Sequence, residues 1–532
     1  MPMNTSKTAL DLKLFSKLLS DGSLTKKAYL NILVAALDFA SRLLVGFILT
    51  PLLVTGLGNY FYGAWRVLER LVGYISPASG RASQALKWTL ASQQGSSDKE
   101  QKRRYVGSAL AVWMFFLPIL TVFGALLAWF APSWMNTPEE SFRTVRLTAG
   151  LLVAGLVMTS LVEIPRSVLE GENLGYKRMG LSAILVFTGG ALTWLALFLN
   201  TGIAGVAAAA LATSLLTGLL FLQVTRTYAP WFGVSRPSFE AARHFLGLSG
   251  WFLAWNLIMR MMLGSDIVVL GFFGSVESVT TYSLTKYAPD ALVTLVEIMV
   301  FGITPGLGGI IGSGNSQKAC QVRNEVMSLT WLSITVSGST VLLWNWAFIR
   351  LWVGPEHYAG STPTLLIVML ATQFILIRND ANIIDLTLRL RHKVLIGALS
   401  VMLSLTAAVV FVNNLKWGIS GLCLGLIFGR FLLSIGYPLM VSRFLKASFA
   451  SQFKATLRPA FVTALLFGIA SKLSELVVSN NWFMLCSWID FALLVGGTIG
   501  AVLLVAFHAG LSENQRGNIL RRVRVAIAIG SD

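Results

Sequence analysis

Apolar runs decide what this chain can fold into. A helix needs about 20 apolar residues to cross a bilayer. Such runs lie near residues 29–54, 59–90, 105–130, 144–169, 179–199, 203–225, 246–274, 279–311, 324–349, 364–388, 394–414, 418–441, 459–478 and 487–508, spans 1 to 14. Only 12% of the 532 residues are charged, where soluble domains average about 25%. The chain therefore reads as an all-α polytopic membrane protein. The longest outer connections, around Ala131–Arg143 and Leu351–Pro363, hold about a dozen residues each. They leave no room for a soluble catalytic domain, and no enzyme activity is expected.

The net charge of +18 is not a nucleic-acid signal, because the basic residues sit in short gaps between apolar runs. Alternate gaps carry Lys26 and Lys27, Lys99 to Arg104, Lys177 and Arg178, Arg236 and Arg243, Lys318 and Arg323, Arg389 to Lys393, Arg443 to Arg458, and Arg521 to Arg524. The intervening gaps hold little beyond Arg143, Arg350, Lys416 and Lys472. The positive-inside rule then predicts an inner-membrane protein with both termini in the cytoplasm. No cleavable signal peptide is evident. Leu10, Leu14 and Leu18 share one helical face beside Lys13 and Lys17, which suits a short helix lying on the membrane; a disordered basic tail fits equally. Cys320, Cys423 and Cys486 and the four scattered histidines lack metal-ligand spacing, so no metal is expected.

The phrase G-I-x-G occurs at Gly202–Gly205 and again at Gly418–Gly421, 216 residues on, at the span 5–6 and span 11–12 junctions. Tyr62 and Tyr282, placed at the starts of spans 2 and 8, are 220 apart; Trp134 and Trp352, in outer loops, are 218 apart. One six-span unit is used twice. Since six is even, both copies enter from the same side, as parallel repeats related by an axis along the membrane normal. The expected organisation is an N-terminal segment (1–28), a first lobe (29–228), a cytoplasmic linker (229–245), a second lobe (246–445), spans 13 and 14 (446–510) and a basic tail (511–532).

Ionisable residues inside spans are costly and usually face a cavity or a partner. Here they concentrate in spans 1, 2, 7 and 8: Asp38 and Arg42; Arg66, Glu69 and Arg70; Arg260 and Asp266; Lys286, Asp290 and Glu297. The repeat matches Arg42 with Arg260 at 218, and Arg66 with Lys286 and Arg70 with Asp290 at 220. At about 1.5 Å per residue, Arg70 and Asp290 fall near the midplane. These four spans are expected to line a polar central cavity, with Arg70 and Asp290 in salt-bridge reach in at least one state. Structural ion pairs (Asp38 with Arg42, Glu69 with Arg66 or Arg70, Lys286 with Asp290) are the bland alternative. A second group (Glu163, Arg166, Arg378, Asp380, Asp385, Arg430) reads as structural pairing or a wet cytoplasmic mouth. The glycine-rich Gly302–Gly314 lacks a phosphate-binding lysine; Pro305 and its glycines are expected to bend span 8. Trp134, Trp231, Trp352 and Trp482 suit an interfacial belt.

The stretch TPLLVTGLGNYFYGAWRVLERLVGY, Thr50–Tyr74, with a helix-ending proline and L-G-x-x-x-Y-G-x-W, resembles the first hairpin of the polysaccharide transporter branch of the multidrug/oligosaccharidyl-lipid/polysaccharide flippase superfamily. That branch includes O-antigen and exopolysaccharide-unit flippases. The resemblance covers nearly the whole chain, and its loose motifs identify superfamily better than substrate. It implies a secondary flippase for polyprenyl-pyrophosphate-linked oligosaccharide. Arg42, Arg66, Arg70, Arg260 and Lys286 would bind substrate; Asp38, Glu69, Asp266, Asp290 and Glu297 would couple H+ or Na+. No other cofactor is expected. Partners would be the lipid-linked substrate, membrane lipids and polysaccharide polymerase or glycosyltransferase machinery, with the chain itself monomeric. The alternatives are a cation-coupled multidrug antiporter of the same superfamily and a peptidoglycan-precursor lipid flippase, since such flippases also carry two added helices.

Overall fold

The computed structural model describes residues 24–520 apart from 81, 94–95, 179, 313–315, 387–389 and 481–486. The N-terminal leucines, Trp482, Cys486 and the tail cations Arg521, Arg522 and Arg524 lie outside the described residues. Every regular element among the described residues is a helix. We number the α-helices α1 (Leu24–Ile75), α2 (Ala82–Ser92), α3 (Lys99–Trp134), α4 (Phe142–Gly171), α5 (Leu181–Phe198), α6 (Gly202–Tyr228), α7 (Phe239–Phe273), α8 (Val276–Thr285), α9 (Tyr287–Gly312), α10 (Ser316–Trp352), α11 (Ser361–Leu386), α12 (Leu390–Val409), α13 (Gly418–Phe444), α14 (Phe449–Asn480) and α15 (Trp488–Val505).

Twelve helices among the described residues are long and apolar enough to cross a membrane. The first of these runs, Ala36–Ser79, has 44 residues. If straight it would reach about 66 Å, twice a hydrocarbon core. Gly58 divides it, with φ 74° and ψ 168°, a conformation essentially restricted to glycine. Spans 1 and 2 are therefore its two arms. The expected helix-ending Pro51 lies inside the first arm: a proline costs one backbone bond, which a long apolar helix tolerates, whereas the angles at Gly58 cannot continue it.

Span 8 is also discontinuous, and Tyr282 does not begin it. A capping box at Ser275 and Ser278 starts α8, and the chain breaks at Lys286 before α9. Pro289 explains the break, because it has no N–H for the Thr285 carbonyl four residues earlier. The buried Asn345 of α10 donates to that carbonyl instead, Nδ2 to O 2.9 Å. Beyond the break α9 runs helically through Pro305 to Gly312, so the interruption lies nineteen residues before the expected one.

The chain forms two compact units, Met1–Leu257 and Ile258–Asp532, divided within α7. In the first unit α4 packs on α6, α5 on α6 and α3 on α4; in the second, α11 packs on α13, α12 on α13 and α10 on α11. These are the same pairings at the repeat interval. The turn that carries the repeated phrase is duplicated angle by angle. Asn200 (φ 53°), Thr201 (−78°, 0°) and Gly202 (φ 64°) match Lys416 (φ 57°), Trp417 (−80°, 4°) and Gly418 (φ 54°). The segment before α7 lies along the start of α3, where Arg103 Nε donates to the Trp231 carbonyl at 2.7 Å and Ser108 accepts from Ser238 N–H at 2.9 Å.

Helices α14 and α15 have no counterpart in the first unit. They cover α10, tied by Thr335 to Thr463 (2.6 Å) and by Trp344 Nε1 donating to Thr498 (2.9 Å). Trp352, expected in an interfacial belt, is buried against Tyr287 (4.4 Å) of α9 and Phe348 (5.1 Å) of α10, and Phe348 in turn meets Trp488 and Phe491 of α15. Its repeat partner Trp134 stacks on Phe130 (5.9 Å) and stays partly exposed.

Candidate functional site

The charges of the first unit lie on the two arms of α1. Asp38 is buried and Arg42 is exposed, and no ion pair joins them among the described residues. Past Gly58, Arg66 pairs with Glu69 at 3.1 Å, with side-chain exposures of 29% and 39%. That partial exposure keeps the pair exchangeable. Arg70 is half-buried and has no carboxylate within ion-pair distance among the described residues. The helix is continuous from Asn59 to Ile75, so Arg66 and Arg70, four apart, share one face.

The equivalent region of the second unit is built differently. Asp266, on α7, is 1% exposed. Its Oδ2 accepts from the Tyr282 hydroxyl at 2.8 Å and from Lys286 Nζ at 2.5 Å. Lys286 reaches Asp290 as well, at 3.6 Å, and Asp290 is half exposed. Behind Asp266, the buried Arg430 of α13 donates to the Met262 carbonyl and lies within electrostatic reach of Asp266 and Tyr282. The break at Lys286 places an ammonium at a helix end, where its three donors can address partners on two sides. Arg260 is half-buried on α7. Glu297 is held by Arg378 of α11 at 3.4 Å.

The second group resolves into pairs. Arg323 donates Nε and Nη2 to Asp380 Oδ1 at 2.9 and 2.7 Å, both residues buried. Lys393, wholly buried, binds Asp385 at 2.6 Å and the Ala381 carbonyl at 3.1 Å. Glu163 accepts from Ser83 at 3.1 Å, and Glu170 is shared by Arg166 (2.9 Å) and Lys87 (2.8 Å). Sequence reading placed Arg323 and Lys393 among solvated loop cations. An acid twelve or fewer residues from Lys393 was visible; the partner of Arg323, 57 positions away, was not. Asn345 was missed, although an uncharged amide within an apolar run was its signal.

The structure thus gathers Asp266, Lys286 and Asp290 into one cluster, and Arg66 with Glu69 into another. It adds Tyr282 and Arg430 to the former and Arg378 to Glu297. Counted with these neighbours, the second unit's candidate residues comprise four cations (Arg260, Lys286, Arg378, Arg430) and three carboxylates (Asp266, Asp290, Glu297). The first-unit group has three cations and two carboxylates. Each has one positive charge in surplus, and Arg42 and Arg70 have no carboxylate within ion-pair distance among the described residues.

No family model and no curated protein matches the sequence. Solved structures do. An inward-facing multidrug resistance MATE family transporter of the MOP superfamily aligns with TM-score 0.63 at 16% identity, covering 77% of this chain and 96% of that one. The lipid II flippase MurJ, in an inward closed conformation, aligns with TM-score 0.62 at 14% identity, covering 90% and 99%. This chain is a multi-pass membrane protein whose fold is similar to that of the MATE transporter and of MurJ.

Proposed function

We propose that this protein is a secondary flippase that carries polyprenyl-pyrophosphate-linked oligosaccharide across the cytoplasmic membrane by alternating access. Its termini lie in the cytoplasm. One observation carries the reading: Arg42 and Arg70 lie within apolar spans with no carboxylate in ion-pair distance among the described residues, while Asp266 and Glu297 are held by Lys286 and Arg378. A guanidinium in a membrane needs an anion, and its planar fork suits a diphosphate. A cation-drug antiporter calls for the reverse, open carboxylates and satisfied cations. That one solved relative in fold is a lipid II flippase supports a lipid-linked substrate.

In this scheme Arg42, Arg66 and Arg70 hold the diphosphate, and Glu69 yields Arg66 to it. Lys286 exchanges Asp290 for the substrate while Asp266 keeps it oriented. Asp290, once released, takes up a proton or a cation. The test is translocation of a labelled polyprenyl-diphosphate oligosaccharide in proteoliposomes. Protein-dependent flipping that fails in Arg70→Ala and is partly kept in Arg70→Lys supports the scheme. Absence of flipping together with cation-coupled drug efflux overturns it.

A further inference from the structure

A cavity of about 270 Å³ lies within the second unit among α10, α11, α13 and α14, away from Lys286 and Asp290. Its walls are mainly apolar, including Met327, Leu376 and Ile377. Three polar side chains nonetheless meet in it without hydrogen-bond partners. The indole N–H of Trp331 and both amide atoms of Gln452 are buried and unbonded among the described residues. Trp331 is 8% exposed and Gln452 6%. Gln373 uses its Nε2 on the Ile427 carbonyl and Ser434, leaving a buried, unbonded Oε1. Buried polar groups are normally satisfied, so two unbonded donors and two unbonded acceptors on side chains that line one cavity point to a ligand.

The lip of the cavity identifies the phase the ligand comes from. Ile435, Phe453 and Leu457 line it and are 42%, 55% and 50% exposed, which in a membrane protein means facing lipid. Its level identifies which part of a lipid it receives. Helix α14 has 32 residues, about 48 Å, well beyond a core of about 30 Å. Gln452, in its first turn, sits at the interface. Just before α14 Arg443 and Lys446 are exposed, and residues 442–458 contain no acid; Lys454 and Arg458 lie on the face of α14 away from the cavity, where Arg458 donates to the Ala509 and His508 carbonyls. Exposed basic clusters at that level bind anionic headgroups.

We propose that this cavity binds one anionic diacyl glycerophospholipid of the phosphatidylglycerol type. The ester carbonyls accept from Trp331 Nε1 and Gln452 Nε2, a water beneath them donates to the two glutamine oxygens, and the phosphate lies toward Arg443 and Lys446. A polyprenyl tail does not fit, since it has no polar atom there and would leave all three side chains desolvated and unmatched. Water alone would satisfy the amides but would rest against an apolar wall open to hydrocarbon.

The experiment is native mass spectrometry of the delipidated full chain with phosphatidylglycerol and its dialkyl ether analogue, which keeps head and tails and lacks the carbonyls. Wild type is expected to retain the ester lipid about fivefold better. Gln452→Leu and Trp331→Phe should lose that preference while binding the ether lipid as wild type does. Thermal unfolding of lipid-free Gln452→Leu should come no earlier than wild type, since an unsatisfied amide has been removed. Equal retention of the two lipids by wild type, or a preference that survives both substitutions, overturns the proposal. So does displacement of phosphatidylglycerol by an equimolar polyprenyl phosphate.

Discussion

Position 66 and position 286 are the same place in the repeat, yet one cation is loosely held and the other is locked. Subtracting the interval of 218 that matches Arg42 with Arg260 in the same spans from Asp266 gives Ile48, so the first unit has no carboxylate where the second buries one. Subtracting 216 from Arg430 gives Ser214, so the cation behind it is missing too. Pro289 corresponds to Glu69, so the helix that breaks at Lys286 runs unbroken past Arg66. Duplication preserved the backbone and let the two halves divide the chemistry: the first offers exchangeable guanidinium groups, the second a braced ammonium.

The largest test of this contrast is stability. Asp266→Ala leaves Arg430 without a nearby carboxylate and Lys286 with only the longer contact to Asp290, and should cost about 3–5 kcal/mol in chemical or thermal unfolding. Glu69→Ala, at a partly exposed pair, should cost under about 1 kcal/mol. Equal losses would erase the distinction. Transport comes next, with the opposite pattern: Arg70→Ala should slow flipping at least about tenfold, the loss of about 1.4 kcal/mol of binding, with little change in stability. Loss of fold instead would make Arg70 structural.

The helix packing differs between the units as well. Gly429 sits against the backbone of Ser404, where an added Cβ would lie 2.2 Å from its nitrogen. Gly429→Ala should therefore cost about 1–3 kcal/mol or more. In the first unit the small residue is on the opposite helix. Gly189→Ala would meet the Thr213 side chain at 3.0 Å, which can give, and should cost less. Matched costs would show that both units pack alike. The smallest effect concerns the duplicated turn. Lys416 holds φ 57° where the first unit uses Asn200 at 53°. Asparagine visits that region more readily than lysine. Lys416→Asn should gain up to about 1 kcal/mol, and Asn200→Lys should lose as much.

Much of the fold was readable because it rests on local pattern. The apolar runs, the duplicated G-I-x-G turn and Tyr62 matched with Tyr282 all follow from spacing along one chain. Pro289 was legible in principle as a helix breaker; its effect was overlooked because the glycines around Pro305 drew the expectation further on. The site was legible as a set of charges in four spans, but not as a set of partners. Arg378 for Glu297, Arg323 for Asp380, and Tyr282 for Asp266 bring together residues that sequence separation alone does not rank.

By itself the sequence determined that this chain crosses a membrane many times as two copies of one unit, because lipid demands long apolar helices and duplication leaves a constant interval. Only the tertiary structure decided which intramembrane charges are paired and which, among the described residues, have no carboxylate in reach. A helix fixes which residues share a face, but not what stands opposite; that depends on packing between helices far apart in sequence, where one Ile48 in place of an Asp266 changes what its neighbours can bind.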